Sequence, residues 1–215
     1  MFNLNYKNII IFGPQASGKG TQADVLAEKF GVPHISTGAI FRDEIRGGTE
    51  LGKKVEGILN AGNLVPDEIT NEIVKNRLSK SDCSAGFVLE GYPRNISQAG
   101  FLDKVAKVDL ALEVWISDEE AVMRIGGRRN CPKCGTPYHL KFNPSKKEGV
   151  CDKDGEKLII RDDESDEIIK QRLKNYHEQT EPIIDFYKER GIYKKIDGMP
   201  SISEVTSMIM KVVEE

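Results

Sequence analysis

The sequence predicts an α/β fold, a parallel β-sheet core flanked by helices and carrying inserts. Short apolar, β-branched runs alternate with helical patterns along most of the chain. The first such run ends in a glycine-rich turn that opens a helix. Only the stretch from about Gly127 to Asp163 breaks the alternation. It is rich in Cys, Pro, Gly, Lys and Asp, buries little apolar surface, and is too long for an ordinary connection.

The run Asn8 to Phe12 reads as a buried first strand, and Lys19 to Phe30 as a helix with Val25, Leu26 and Phe30 on one face. His34-Ile35-Ser36 is a short second strand. Ser36 or Thr37 then caps a helix through Phe41 and Ile45. Helical stretches follow at Gly52–Leu59 and Glu68–Ser79. Phe87–Glu90, Val108–Ile116 and Ile192–Ile196 read as strands. Asp118–Arg128, Glu164–Arg190 and Ser203–Glu214 read as long helices.

The chain has 215 residues, 39% hydrophobic and 30% charged, enough for one α/β core with small inserts. A net charge of −3 leaves no global basic footprint for nucleic acid. The run Ile9 to Phe12 is far too short to span a bilayer. The opening residues Met1 to Tyr6 lack a charged region followed by an apolar core, so no secretory leader is expected. A cytoplasmic protein without membrane or nucleic-acid partners is the expectation, and the lack of a heptad or apolar stripe suggests a monomer.

The first strand runs into Gly13-Pro14-Gln15-Ala16-Ser17-Gly18-Lys19-Gly20-Thr21, two glycines five apart followed by lysine. Such a loop turns backbone N–H groups toward phosphate oxygens, and the next helix adds its positive end. Lys19 adds a mobile charge for the β and γ phosphates. The core is therefore expected to be P-loop NTPase-like. Gly20 stands where the hydroxyl ligand for Mg²⁺ is usual, and Thr21 comes one place later. Mg²⁺ is then expected on nucleotide phosphates and water.

With Gly18-Lys19-Gly20-Thr21-Gln22 the chain resembles the adenylate kinase family, of the long-lid, zinc-containing type. Three more stretches carry the resemblance: Ser36-Thr37-Gly38 with Arg42, Leu89-Glu90-Gly91-Tyr92-Pro93-Arg94 with Gln98, and Arg124-Ile125-Gly126-Gly127-Arg128-Arg129. The resemblance implies reversible Mg²⁺-dependent transfer of a phosphoryl group from ATP to AMP, giving two ADP. It places Ala16, Ser17, Gly18, Lys19, Gly20, Thr21, Arg124, Arg128, Pro137, Tyr138 and Met199 at ATP. It places Thr37, Arg42, Asn63, Leu64, Val65, Gly91, Tyr92, Pro93, Arg94, Gln98, Arg161 and Arg172 at AMP. Lys19, Arg94, Arg128, Arg161 and Arg172 are the implied catalytic set. The implied division is a core of residues 1–35, 66–126 and 164–215, an AMP-binding insert of 36–65, and a lid of 127–163, with Gly126-Gly127 as hinge material.

The sequence departs from the family at four places. Gln15 and Ala16 replace a common Pro-Gly pair, and Ala16 is expected to hold a negative φ. Ala39 replaces a common Asp. Glu90 replaces Asp on a strand end near the expected Mg²⁺-bound water, keeping the charge on a longer stem.

Cys131-Pro132-Lys133-Cys134-Gly135 and Cys151-Asp152-Lys153-Asp154-Gly155 read as two halves of a metal knuckle. Cys131, Cys134, Cys151 and Asp154 supply three thiolates and a carboxylate, a closed set for structural Zn²⁺. His139 is the alternative fourth ligand. Cys83 stands apart and is assigned no function. Competing readings are a kinase for UMP, CMP or GMP, a zinc ribbon on nucleic acid, and a P-loop switch protein. Gln98 favours AMP among the first, because its amide can pair with the adenine edge.

Overall fold

A computed structural model describes residues 6–161 and 164–214. The opening five residues, where the leader was sought, and the lid boundary at Asp163 lie outside the described residues. Seven strands are present there: β1 (Asn8–Phe12), β2 (His34–Ser36), β3 (Phe87–Glu90), β4 (Leu110–Trp115), β5 (Arg128–Asn130), β6 (Pro137–His139) and β7 (Tyr193–Asp197). Five form one parallel sheet in the order β2-β3-β1-β4-β7.

The two-residue period of a strand sorts β1 between two cores. Ile9 and Ile11 face one side, where α1 (Lys19–Phe30) contributes Ala23 and Leu26. Ile10 and Phe12 face the other. The inward face of α1 centres on Ala23, Leu26 and Ala27, with Phe30 only partly buried beside them. Both sides of the sheet are thus covered, as a parallel sheet requires.

Two helices, α2 (Thr37–Arg46) and α3 (Glu50–Asn60), form an insert with its own core of Phe41, Val55 and Val65. Ser36 caps the first by accepting from the Ala39 N–H, and Thr49 caps the second by accepting from the Gly52 N–H. The chain returns through α4 (Asp67–Leu78) to β3. A helix not anticipated from the sequence, α5 (Ile96–Val105), follows; Asn95 caps it, and Ala99 and Leu102 seat it on the sheet.

The helix α6 (Asp118–Gly126) ends two residues before its expected limit. Arg128 consequently sits on strand β5 rather than on a helix, a correction to the sequence reading. Strands β5 and β6 pair antiparallel in the stretch expected to be the lid, beside a cluster of Cys131, Tyr138, Cys151 and Leu158. Beyond it, the single helix expected over 164–190 is three pieces: α7 (Asp166–Asn175), a π-helical turn (Tyr176–Thr180) and α8 (Ile183–Lys188). Pro182 explains the break, since it has no N–H to donate and its ring crowds the carbonyl four residues back. The chain closes with α9 (Ile202–Glu214), whose Val205, Ile209 and Val213 complete the first core. No helix among the described residues is long and apolar enough to cross a membrane.

Candidate active site and metal centre

The phosphate loop leaves the C-terminal end of β1, in the middle of the sheet. A Cβ on Gly13 would lie 2.1 Å from the Val114 carbonyl oxygen, so only glycine lets the loop pass β4. Ala16 has φ 54°, the left-handed region, which corrects the expectation of a negative φ. The loop keeps the geometry a glycine would favour, at a cost of about 1–2 kcal/mol for the extra methyl. Gly18 precedes α1 with no side-chain cap, so the first N–H groups of that helix face the loop. Ser17 Oγ and Gln15 Oε1 are buried there without a protein partner, as befits a cradle for a polar ligand.

Lys19 Nζ donates to the Pro14 carbonyl at 2.9 Å. Burial pulls its pKa down to about 8; Glu90 opposes that shift, and Arg94, Arg128 and Arg172 reinforce it. Glu90 in turn accepts from the Ser36 hydroxyl. Burial alone would raise its pKa, but Lys19, Ser36 and Arg94 together hold it below the usual range. The longer acid therefore keeps its charge beside the lysine.

Across the cleft, Thr37 donates to the Gly91 carbonyl at 2.9 Å and Arg94 Nε donates to the same oxygen at 2.7 Å. The Arg42 guanidinium folds back over Gly38. Gln98 is 1% exposed; its Oε1 accepts from the Arg94 N–H at 2.7 Å and its Nε2 donates to Asp67 at 2.8 Å. Asp67 thus fixes which end of the amide faces which way, a role the sequence did not reveal. Asn63, Leu64 and Val65 line the same space. Glu164, its side chain 1% exposed, pairs with Arg128 and lies 3.4 Å from Arg161 Nε, gathering both arginines. Arg172 reaches the cleft from α7.

These groups share one cleft of about 440 Å³ between core, insert and lid. Seven cationic side chains line it (Lys19, Arg42, Arg46, Arg94, Arg128, Arg161 and Arg172) against two acids, Glu56 and Glu90. Arg46, from the end of α2, donates to the carbonyls of Pro132 and Lys133 in the lid at 2.8 and 3.1 Å.

Several expected contacts are not brought to this cleft. Tyr92 is fully buried, with its hydroxyl bonded to Asn71 and to the Gln98 carbonyl; it and Pro93, expected at AMP, do not line the cleft. Tyr138, expected at ATP, does not line this cleft either. Its ring is lid core, and its hydroxyl lies 3.5 Å from Cys151 Sγ and accepts from the Asp152 N–H at 2.8 Å. Pro137 is exposed beside it. Arg124 and Met199 meet elsewhere: Arg124 Nη2 donates to the Met199 carbonyl at 3.1 Å, and its guanidinium lies 5.3 Å over the Phe142 ring. Phe142 was not anticipated at this place.

The metal ligands do converge. One ligand atom each from Cys131, Cys134, Cys151 and Asp154 lies within 4.8 Å of the others. Cys134 and Cys151 sulfurs are 3.6 Å apart, and Cys131 Sγ is 3.4 Å from both Asp154 oxygens. Sulfurs bound at about 2.3 Å to one tetrahedral Zn²⁺ stand ~3.8 Å apart, so the donors fit that ion. His139 is not among them. Its Nδ1 accepts from the Lys141 and Phe142 N–H groups and its Nε2 donates to the Arg124 carbonyl, which uses both nitrogens. Gly127 is equally committed: a Cβ there would lie 2.4 Å from the His139 ring, so close packing requires this glycine, and its φ of −87° is ordinary.

The adenylate kinase family model matches residues 11–192. The chain belongs to the adenylate kinase family. Adenylate kinases from Methanothrix thermoacetophila, Agathobacter rectalis and Lachnospira eligens are 49%, 48% and 46% identical to it. The matches cover 97%, 96% and 95% of this chain and 99% of each relative. As an adenylate kinase, the chain catalyses Mg²⁺-dependent phosphoryl transfer from ATP to AMP, giving two ADP. The Cys₃Asp cluster of its lid fits a structural zinc, with no ligand position left for substrate.

Proposed function

We propose that the cleft holds ATP and AMP tail to tail, with the phosphates of both on the cations that line it. The observation that carries this reading is the gathering of seven cationic side chains from core, insert and lid around one space. The loop from Gly13 to Thr21 takes the ATP phosphates, with Lys19 on the terminal groups. Thr37, Arg42 and the segment from Gly91 to Gln98 take AMP, with Asn63 to Val65 beside its base. Arg124 and Met199 sit at the ATP nucleoside. Residues 36–65 and 127–163 act as insert and lid on the remaining core.

The reaction needs no side-chain nucleophile. A phosphate monoester has its second pKa at about 6, so AMP arrives largely ionised. What it needs is alignment of two mutually repelling phosphate chains and charge balance as the phosphoryl group moves. Arg94, Arg128, Arg161 and Arg172 suit this, because a guanidinium binds two oxygens in a fixed plane and stays charged. Charge neutralisation of the ATP phosphates would come from Mg²⁺ arriving with the nucleotide and held there through water. Glu90, held ionised beside Lys19, would orient water at the phosphate loop. Closure of the lid excludes bulk water, the competing acceptor. The zinc-bound knuckle keeps the lid folded while it moves. The protein works as a cytoplasmic monomer with no nucleic-acid partner.

The test is a coupled assay of purified protein with Mg²⁺, ATP and each of AMP, UMP, CMP and GMP. Two ADP from ATP and AMP, with the other acceptors at least about tenfold poorer in kcat/KM, is the expected result. Preference for UMP or CMP would overturn the assignment of the acceptor pocket. Arg94→Ala is expected to lower kcat by about 100-fold.

A further inference from the structure

We infer that Thr180, presented by the π-helical turn, is a positioning residue for Arg94. This rests on the proposed role of Arg94 at the phosphates. Arg94 is held at three atoms. Its N–H donates to Gln98 Oε1 at 2.7 Å, its Nε donates to the Gly91 carbonyl at 2.7 Å, and its own carbonyl accepts from Thr180 Oγ1 at 2.9 Å. Gly91 and Gln98 lie within four positions of Arg94 and move with its segment. Thr180 is 86 positions away on another element, so its hydroxyl ties that segment to the opposite wall.

Thr180 is 2% exposed and its bond to Arg94 is part-buried, so water has limited room to replace it. The turn that supplies it is itself anchored. Tyr176 donates to Glu113 at 3.0 Å, and Tyr193 bonds the same carboxylate. Glu113 is 1% exposed on β4, an interior strand of the sheet. The Glu181 N–H donates to the Tyr176 carbonyl at 2.8 Å, a five-residue span in place of four. A continuous line therefore runs from β4 through Tyr176 and the wide turn to Thr180 and Arg94. Wide turns of this kind recur at functional sites. Here the turn places Tyr176 and Thr180 on the cleft.

A hydroxyl that merely satisfied a buried carbonyl would affect stability and leave kcat alone. The experiment compares Thr180→Val, Thr180→Ala and Thr180→Ser, each alone and in an Arg94→Ala background, with ATP and AMP as substrates. The Val and Ala variants are expected to lose about tenfold in kcat with KM for ATP unchanged, since the phosphate loop is untouched. The Ser variant should recover to within about twofold of the parent, and in the Arg94→Ala background the hydroxyl should matter less than about twofold. Melting temperatures follow folding, and Ala serves as the hydroxyl-free variant should Val fail to fold. The inference falls if the Val and Ala variants keep kcat, if Ser does not rescue, or if the loss persists without Arg94. Unchanged kcat in Arg94→Ala alone would instead overturn the phosphate role of Arg94, and this inference with it.

Discussion

At Lys19 two demands conflict: the ammonium must be charged to hold phosphate, yet it is buried among arginines. Its pKa of about 8 lies below the ordinary value of 10.5. The folded chain therefore sheds this proton before the unfolded chain does, and this group's contribution to stability rises as pH climbs from about 8 toward 10.5. Nucleotide binding has the opposite sign, since a polyphosphate favours the charged lysine. KM for ATP is expected to climb severalfold between pH 7 and 9.5, while a Lys19→Arg variant shows a flat profile. A KM that does not move over that range would show that burial does not govern this charge. Gly127 offers a second test at the same scale. Gly127→Ala would press a methyl against an imidazole pinned by backbone bonds on both nitrogens. A destabilisation of about 1–3 kcal/mol is expected. The double variant Gly127→Ala/His139→Ala should recover part of it in denaturant titration, because the two substitutions share one space.

Among the elements, the lid depends most on something other than apolar burial. Its core is Cys131, Tyr138, Cys151 and Leu158, and two of those four are metal ligands. Removing zinc with a chelator is expected to lower the melting temperature by about 5 °C or more, the shift that a loss of about 2 kcal/mol gives a chain of 215 residues. Proteolysis should then cut first between Cys131 and Asp154. Unchanged melting and cleavage would refute the staple. The lid also marks where local sequence signals end. The short strands β5 (Arg128-Arg129-Asn130) and β6 (Pro137-Tyr138-His139) carry no apolar run, so they escape a reading based on hydrophobic pattern. The strands β1, β2 and β3 were legible residue for residue, because each carries buried apolar residues bounded by turn or cap signals. The helix α5 was missed because its buried side chains, Gln98, Ala99 and Leu102, make a weak apolar stripe. The same contrast governs the site. Lys19, Arg42, Arg94 and the four metal ligands sit in motifs with fixed spacing. Asp67, Glu164 and Thr180 act through partners 31, 36 and 86 positions away, and no local pattern records such pairs.

For the molecule as a whole, charge is distributed against its average. The chain is net −3, yet the cleft carries seven cations against two acids. Bringing those cations together costs energy until polyanions arrive, so binding and folding are linked. Saturation with a dinucleotide joining two adenosines through phosphates, at about 100 times its Kd, should stabilise the fold by about 2.7 kcal/mol. Differential scanning fluorimetry should register this as a rise of at least about 5 °C, shrinking in concentrated salt. A rise insensitive to salt would mean that charge is not what the ligand supplies. The hydrogen bonds from Arg46 to the carbonyls of Pro132 and Lys133 reach further than their size suggests. Those two residues lie between Cys131 and Cys134, so the loop that would grip the ion is also the loop that Arg46, on the proposed AMP-binding insert, grips. Metal starvation would then surface as slack in the hold on AMP, a shortage of one nutrient read out as carelessness with another.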